Sequence, residues 1–275
     1  MKIQYYGTAA YEGIPSLFCQ CETCRVARER GGKNIRTRAQ ALIDDKILMD
    51  FGPDTVAHNL RFLPDWNRIT HCLITHSHSD HFYPEDIEMS APGYAVGIRT
   101  KLHYYADRAA YDRLVETFGD SPESYADFAD ATLVTAGKSF TFDGYTVLAA
   151  RANHSLSTSP VVYALTDGKK RMLYAHDTGM LSEESMACLA KFGRFDFVSL
   201  DCTGGFNKGW LSGHLCFETC LEMIKRMKER KMADENTIFV VNHFSHNGGA
   251  LHEEMEKAAE SYGILVAYDG MTVEF

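Results

Sequence analysis

The sequence predicts an α/β protein in which two β-sheets pack together and helices cover the outer face of each sheet. Short apolar runs typical of strands alternate with segments of helical periodicity throughout the 275 residues. Two turn signals, Asp44-Asp45 and Asp167-Gly168, lie between apolar runs and predict β-hairpins. Because no linker separates these elements and 45% of the residues are hydrophobic, we expect a single domain over residues 1–275.

The alternation of apolar runs and helical periodicity predicts the strands and helices along the chain. Strands are predicted at 2–6, 40–50 (a hairpin), 71–75, 101–105, 139–151, 160–175 (a hairpin), 196–200, 237–241 and 264–274. Helices are predicted at 22–31, 54–63, 107–118, 182–192, 214–231 and 248–262. Residues 82–151 include a stretch rich in tyrosine and acidic groups, which could wall a substrate pocket or form an extra surface helix.

Composition indicates an ordinary cytoplasmic enzyme. The formal net charge is −9, without the basic patch that a general nucleic-acid-binding surface requires. No apolar run approaches 18 residues, and the N-terminal segment begins a strand instead of a signal peptide. Eight cysteines at this length do not indicate a disulfide scaffold, so a reducing compartment is favoured. We expect no membrane partner, and a homodimer remains possible.

The most informative segment is His76-Ser-His-Ser-Asp-His81, which directly follows an apolar run. Imidazole and carboxylate groups suit Zn²⁺, Mn²⁺ and Fe²⁺ far better than Ca²⁺ or Mg²⁺. In such a turn His76 and His78 can face one metal ion while Asp80 and His81 face a second. A polar turn that merely happens to hold histidines is the alternative.

Three further candidates, His154, Asp177 and His243, each follow a strand-like run. The ends of several strands hold side chains rigidly, as a metal site requires. The order HxHxDH, then His, Asp and His, resembles the metallo-β-lactamase superfamily. That resemblance implies a four-layer αββα sandwich with a dinuclear metal site at the sheet edge. It assigns His76, His78 and His154 to one ion and Asp80, His81 and His243 to the other, with Asp177 as the bridge.

A second cluster, Cys19-Gln-Cys-Glu-Thr-Cys24, offers three thiolates, whereas a closed structural zinc site needs four ligands. His246 lies three residues after His243 and can serve a neighbouring metal. This pairing resembles PhnP-type cyclic-phosphate phosphodiesterases of the carbon–phosphorus lyase pathway and implies a structural zinc bound by Cys19, Cys21, Cys24 and His246. Coenzyme-biosynthesis proteins of the same fold also carry CxCxxC, and a redox or disulfide role is the other alternative.

Two divalent cations, zinc or manganese, would lower the pKa of a water molecule and neutralise charge on an attacked phosphoryl group. An acid must then protonate the leaving alkoxide, and His214 in Ser212-Gly213-His214 is the candidate, unless it only caps a helix. Asp80 is the other catalytic candidate. Asp50 ends a strand and is expected to hydrogen-bond a metal-bound histidine.

These residues favour a phosphodiesterase that opens small cyclic or diester phosphates through a metal-bound hydroxide. Three alternatives remain: an RNA 3′-processing endonuclease, a lactone or thioester hydrolase, and a non-hydrolytic metal-binding accessory protein of the same fold. The RNA enzyme would need a basic, glycine-rich arm, and the sequence has none.

Overall fold

A computed structural model of the protein describes residues 1–119, 125–155, 158–209 and 213–275. Within them the strands are β1 (Lys2–Gly7), β2 (Gln40–Ile43), β3 (Ile47–Met49), β4 (His71–Leu73), β5 (Leu102–Ala106), β6 (Ala129–Leu133), β7 (Ser139–Phe142), β8 (Tyr145–Arg151), β9 (Val161–Thr166), β10 (Arg171–Ala175), β11 (Phe197–Asp201), β12 (Ile238–Asn242), β13 (Ile264–Val266) and β14 (Thr272–Glu274). The helices are α1 (Glu22–Arg30), α2 (Thr55–Phe62), α3 (Arg108–Phe118), α4 (Glu183–Phe192), α5 (Phe217–Glu229) and α6 (His252–Glu260).

The strands form two seven-stranded mixed sheets, of order β14-β1-β2-β3-β4-β5-β6 and β13-β12-β11-β10-β9-β8-β7. Strands β3 to β6 run parallel in the first sheet, and β10 to β13 run parallel in the second. Parallel neighbours end at the same edge of a sheet, so the residues after β3, β4, β10, β11 and β12 can converge there.

The two sheets face each other across an apolar core. Alternation along β10 shows how one strand serves two layers: Met172 and Tyr174 point into the space between the sheets, whereas Leu173 and Ala175 pack against the outer helices. Helices α4, α5 and α6 cover the second sheet, and α2 and α3 cover the first. The predicted αββα sandwich is therefore confirmed.

The hairpins predicted through Asp44-Asp45 and Asp167-Gly168 are both present, as β2–β3 and β9–β10. Two strand predictions were wrong. Residues 139–151 form two strands, because Asp143 and Gly144 both take a positive φ (45° and 85°) and turn the chain. Residues 264–274 contribute β13 to one sheet and β14 to the other.

Residues 82–151 mostly build regular structure, since they supply β5 and β6 to one sheet and β7 and β8 to the other. Strand β6 was not predicted, because two of the three apolar positions in Ala129–Leu133 are alanine, which has a low strand propensity; in the structure β6 pairs with β5 at the sheet edge. None of the helices in the described part of the chain combines the length and apolar character needed to cross a membrane.

Candidate metal centre and active site

The loop that carries residues 76–81 follows β4 and is held against the end of β3. The Phe51 backbone N–H donates to the His81 carbonyl at 2.8 Å. At Gly52 a Cβ atom would lie 1.9 Å from the Asp80 carbonyl oxygen, so only glycine permits this approach. The loop is therefore placed by backbone packing as well as by its side chains.

The first group of donors consists of His76, His78 and His154. His78 Nδ1 lies 2.9 Å from His76 Nε2 and 3.3 Å from His154 Nε2. The outer nitrogen of His154 donates to the Gly213 carbonyl at 3.0 Å, which leaves the Nε2 lone pair facing inward. Burial, and then the positive charge on His81, lower the pKa of His76 well below its usual value. These three side chains can hold a metal ion.

The second group consists of Asp80, His81, Asp177 and His243, and all four are buried. His81 Nε2 lies 3.0 Å from Asp80 Oδ2 and 3.3 Å from His243 Nε2, and it also contacts Asp177 Oδ2. Four imidazole or carboxylate donors around a common point suit a divalent transition metal. This group can therefore hold a second ion beside the first.

Asp177 lies between the two groups. Its Oδ2 atom is 3.1 Å from His243 Nε2 and 3.8 Å from His76 Nε2, and its Oδ1 atom is 3.8 Å from His154 Nε2. Burial raises the pKa of Asp177, but attraction to His243 and His81 outweighs burial and lowers this pKa well below its usual value. An ionised carboxylate thus faces both groups, which is the placement that a bridging residue needs.

Neighbouring polar groups orient the imidazoles of the second group. Asp50 Oδ2 accepts the His81 Nδ1–H at 2.7 Å, as predicted from its position after β3. Thr203 Oγ1 donates to Asp201 Oδ2 at 3.1 Å and lies 2.8 Å from His243 Nδ1, so it accepts the proton on that nitrogen. In both histidines the Nε2 lone pair is thereby directed to the interior of the site.

Three residues at this edge adopt left-handed backbone conformations within two residues of a strand end: Asp50, Asp177 and His243, with φ of 65°, 49° and 62°. Such conformations cost roughly 1–3 kcal/mol for residues other than glycine and are concentrated at functional sites. The turn aims each side chain into the space between the sheets' edges. The strained backbone positions therefore lie at the same site as the proposed metal-binding side chains.

His214 faces the same space, but not from a helix terminus as predicted. Helix α5 begins at Phe217 after the cap residue Cys216, so His214 lies in the preceding loop; the neighbouring Ser212 lies outside the described residues. His214 Nδ1 is 3.0 Å from Asp201 Oδ2 and 3.4 Å from Asp177 Oδ1. Burial lowers the pKa of His214, but the carboxylates of Asp201 and Asp177 outweigh burial and raise it to about 9.

Asp201 is the functional residue that the sequence analysis missed. It ends β11 and is completely buried, and its Oδ1 atom accepts the backbone N–H groups of Thr203 and Leu215 at 3.0 Å. The signal was present, because Asp201 follows an apolar run just as Asp177 does. Asp177, Asp201, His214 and His243 also lie close enough together to hold an ion, so a ligand role for His214 must be tested.

These groups open onto a cavity of about 460 Å³. Its lining residues come from the loop after β1, the loop after β4, and the ends of β8, β10, β11 and β12: Ala10, Tyr11, Glu12, His78, Ser79, Asp80, His154, Asp177, Thr203, His214, His243, Ser245 and Asn247. No described residue of 82–151 is among them. Both donor groups and His214 are accordingly accessible to one small substrate.

The cysteine cluster lies beside this cavity. Cys19 Sγ and Cys21 Sγ are 3.5 and 3.4 Å from His246 Nδ1, and the donor atoms of these residues and Cys24 all lie within 4.8 Å of one another. Burial raises the pKa of Cys21, but hydrogen bonds from the Cys24 backbone and from His246 outweigh it and lower this pKa to about 6. All eight cysteines are free thiols, so the four side chains form a candidate zinc site with no disulfide.

Replacing Cys21 with serine should lower the melting temperature by roughly 5–10 °C, because a structural zinc contributes its binding energy to folding. Turnover per folded molecule should fall less. Cys188→Ser is the control, since the half-buried Cys188 in α4 lies outside the cluster. Scanning calorimetry and zinc analysis of both variants would check this prediction. If Cys21→Ser melts at the temperature of the wild type and holds the same amount of zinc, the assignment is refuted.

Comparison with known proteins places these observations in context. A family model described as a beta-lactamase superfamily domain matches residues 45–233. The crystal structure of a diphosphatase from the PhnP family is similar to the whole chain, with a TM-score of 0.76, 20% sequence identity and 97% of that chain covered. No curated protein matches the sequence at a significant level.

Two other solved structures are similar over the full length of this chain. Zinc-bound PqqB from Methylobacterium extorquens has a TM-score of 0.75 and 18% identity, with 100% of its chain covered. The short form of human tRNase Z has a TM-score of 0.67 and 16% identity, with 99% of its chain covered. At these identities the structural similarity establishes a shared fold.

Proposed function

The chain belongs to the metallo-β-lactamase superfamily of metal-dependent hydrolases, and from this premise we propose that it is a phosphodiesterase that hydrolyses small cyclic or diester phosphates. One observation carries the proposal: Asp177 lies between two groups of donors while His214, backed by Asp201, faces the same cavity. This combination puts a proton donor in the same cavity as two groups of side chains that can hold metal ions.

The residues fit two divalent ions, zinc or manganese. The donor nitrogens of the two groups face one another with their lone pairs inward, and buried carboxylates surround them. The negative potential is strong enough to raise the pKa of His81 well above its usual value, although burial lowers it. A bound metal cation would be stabilised by the same negative potential, and His81 would then not need to be protonated. We assign His76, His78 and His154 to one ion, Asp80, His81 and His243 to the other, and Asp177 to both.

When bound, such ions activate a water molecule and neutralise charge on the phosphoryl group. The protein's own groups perform the remaining tasks. Burial raises the pKa of Asp80, but attraction to His81 outweighs burial and lowers it to about 2, so the carboxylate stays ionised and can accept a hydrogen bond from the attacking water. His214 donates a proton to the departing alkoxide, and the Asp201 carboxylate holds the imidazole in position.

The similar structures include a diphosphatase and a tRNase Z, both of which take their names from substrates with phosphorus–oxygen bonds. That supports phosphate esters over lactones and thioesters as substrates. An RNA substrate is less well supported, because the chain carries a net charge of −9 and none of the described cavity-lining residues is lysine or arginine. A small phosphate ester matches the cavity volume of about 460 Å³.

The proposal is tested by a substrate screen on protein loaded with zinc or with manganese. We expect hydrolysis of bis(p-nitrophenyl) phosphate and of cyclic nucleotides, with activity lost on chelation and restored by the metal. A lactone and a thioester serve as comparison substrates. Turnover of the carboxyl esters alone would exclude the phosphodiesterase.

A further inference from the structure

We propose that this site prefers phosphodiesters in which one alcohol carries a positive charge, such as an amino alcohol, and that Glu12 with Tyr11 recognises the cation. The inference rests on the proposed phosphodiesterase activity and deepens it by naming the substrate class. It follows from the charge of the lining that Glu12 and Tyr11 contribute to the same cavity as the two donor groups.

The described cavity lining contains three carboxylates, Glu12, Asp80 and Asp177, and four histidines, but no lysine or arginine. Asp80 and Asp177 belong to the second donor group, so Glu12 is the lining carboxylate outside the donor groups. The Arg38 guanidinium lies 6.0 Å from the centroid of the Tyr11 ring, donates from Nε to the Tyr11 carbonyl at 2.8 Å and is paired with Asp54 at 3.2 Å. Bound metal ions would neutralise the phosphoryl group, and His214 is placed to donate a proton to the leaving group. At Glu12 the lining therefore favours a cation over a second anionic group.

Glu12 is held in place in this lining. Ser245 is buried, accepts the Asn247 backbone N–H at 3.1 Å and donates its hydroxyl to Glu12 Oε1. The same oxygen lies 3.6 Å from His246 Nε2. Both contacts involve Oε1, and no described residue hydrogen-bonds Oε2, while a quarter of the side chain (25%) is exposed. One carboxylate oxygen is thus anchored and the other remains available to a ligand.

Tyr11 supplies the second half of a cation site. Its side chain lines the cavity next to Glu12 and is 61% exposed, so the ring is accessible from the cavity beside the Arg38 guanidinium. A carboxylate beside an aromatic ring is the usual way in which proteins bind a substituted ammonium group, and each cation–π contact contributes about 0.5–2 kcal/mol. Neither residue belongs to the groups that could hold metal ions at the catalytic centre.

The test compares two substrates that share a leaving group and differ by one atom. p-Nitrophenyl phosphorylcholine carries a quaternary nitrogen, whereas p-nitrophenyl 3,3-dimethylbutyl phosphate carries carbon at that position. We expect kcat/KM to be roughly tenfold higher for the choline ester, which corresponds to about 1.4 kcal/mol. In Glu12→Gln the ratio of kcat/KM for the choline ester to kcat/KM for the dimethylbutyl ester should fall close to one. In Tyr11→Leu, at an exposed position, this ratio should lie between one and the wild-type value.

Titration calorimetry with phosphorylcholine and 3,3-dimethylbutyl phosphate gives an independent readout, in which the choline compound should bind roughly tenfold tighter. Glu260→Gln, an exposed acid at the end of α6, should leave the ratio unchanged. If bis(p-nitrophenyl) phosphate is hydrolysed but the wild type does not favour choline, the inference is wrong and the phosphodiesterase stands. If no diester is hydrolysed, both are wrong. If folded, metal-loaded Glu12→Gln keeps the preference of the wild type for the choline ester, Glu12 does not recognise the cation.

Discussion

Replacing Asp177 with alanine should lower phosphodiesterase activity by roughly 10³-fold or more, about 4 kcal/mol of transition-state stabilisation, while the protein stays folded. The carboxylate faces both sets of donors, so its removal should weaken binding of both ions. The fold should survive, because the core lies between and outside the two sheets and not at their edge. Metal analysis and circular dichroism measure the two effects separately.

The asparagine variant separates charge from backbone strain. Asp177 has a φ of 49°, which asparagine tolerates and alanine does not. Asp177→Asn should therefore lose nearly as much activity as Asp177→Ala but less stability. Asp112→Ala, on the exposed face of α3, should change neither quantity. Native protein that holds a single ion in the histidine and aspartate groups, even under metal excess, would contradict the dinuclear assignment.

The candidate site was largely predictable because its donors follow strands. His154, Asp177 and His243 each come after a buried apolar run, and parallel strands bring such positions to one edge whatever the intervening sequence. The structure does bring all seven proposed ligands together there. Whether each one binds metal remains a prediction for the experiments above.

Residues that act through tertiary contacts could not be assigned in the same way. Asp201 follows an apolar run, but the sequence does not show its 3.0 Å approach to His214. Glu12 is similar, since its link to Ser245 spans 233 positions in the chain. Neither pairing leaves a local pattern, because the distance between the partners along the chain is unrelated to their distance in space.

Element boundaries were wrong where a short local signal opposed a longer apolar pattern. The sequence analysis predicted a helix over 214–231, yet Cys216 and Thr219 form a capping box that starts the helix at Phe217. This shift changes the interpretation of His214. The partial positive charge of a helix terminus would disfavour a protonated imidazole there, whereas the loop position beside Asp201 favours one.

A proton-donating role for His214 predicts unequal effects on different substrates. His214→Ala should slow diesters of ordinary alcohols by roughly 10²–10⁴-fold, the range expected for a positioned general acid. A p-nitrophenyl ester leaves as a stable phenolate and hardly needs the proton, so the variant should keep much more of its activity on that substrate. Asp201→Asn should show the same pattern to a smaller extent, because it orients the imidazole without donating the proton itself.

Measurements of kcat/KM on a series of diesters with leaving groups of rising pKa would test this directly. The slope of activity against leaving-group pKa should steepen in His214→Ala, with metal content unchanged. His103→Ala is the control, since His103 hydrogen-bonds Thr132 on the neighbouring strand and belongs to no donor group among the described residues. Equal losses across the series would indicate that His214 binds phosphate instead. Loss of an ion would show that His214 is a ligand, in the group it forms with Asp177, Asp201 and His243.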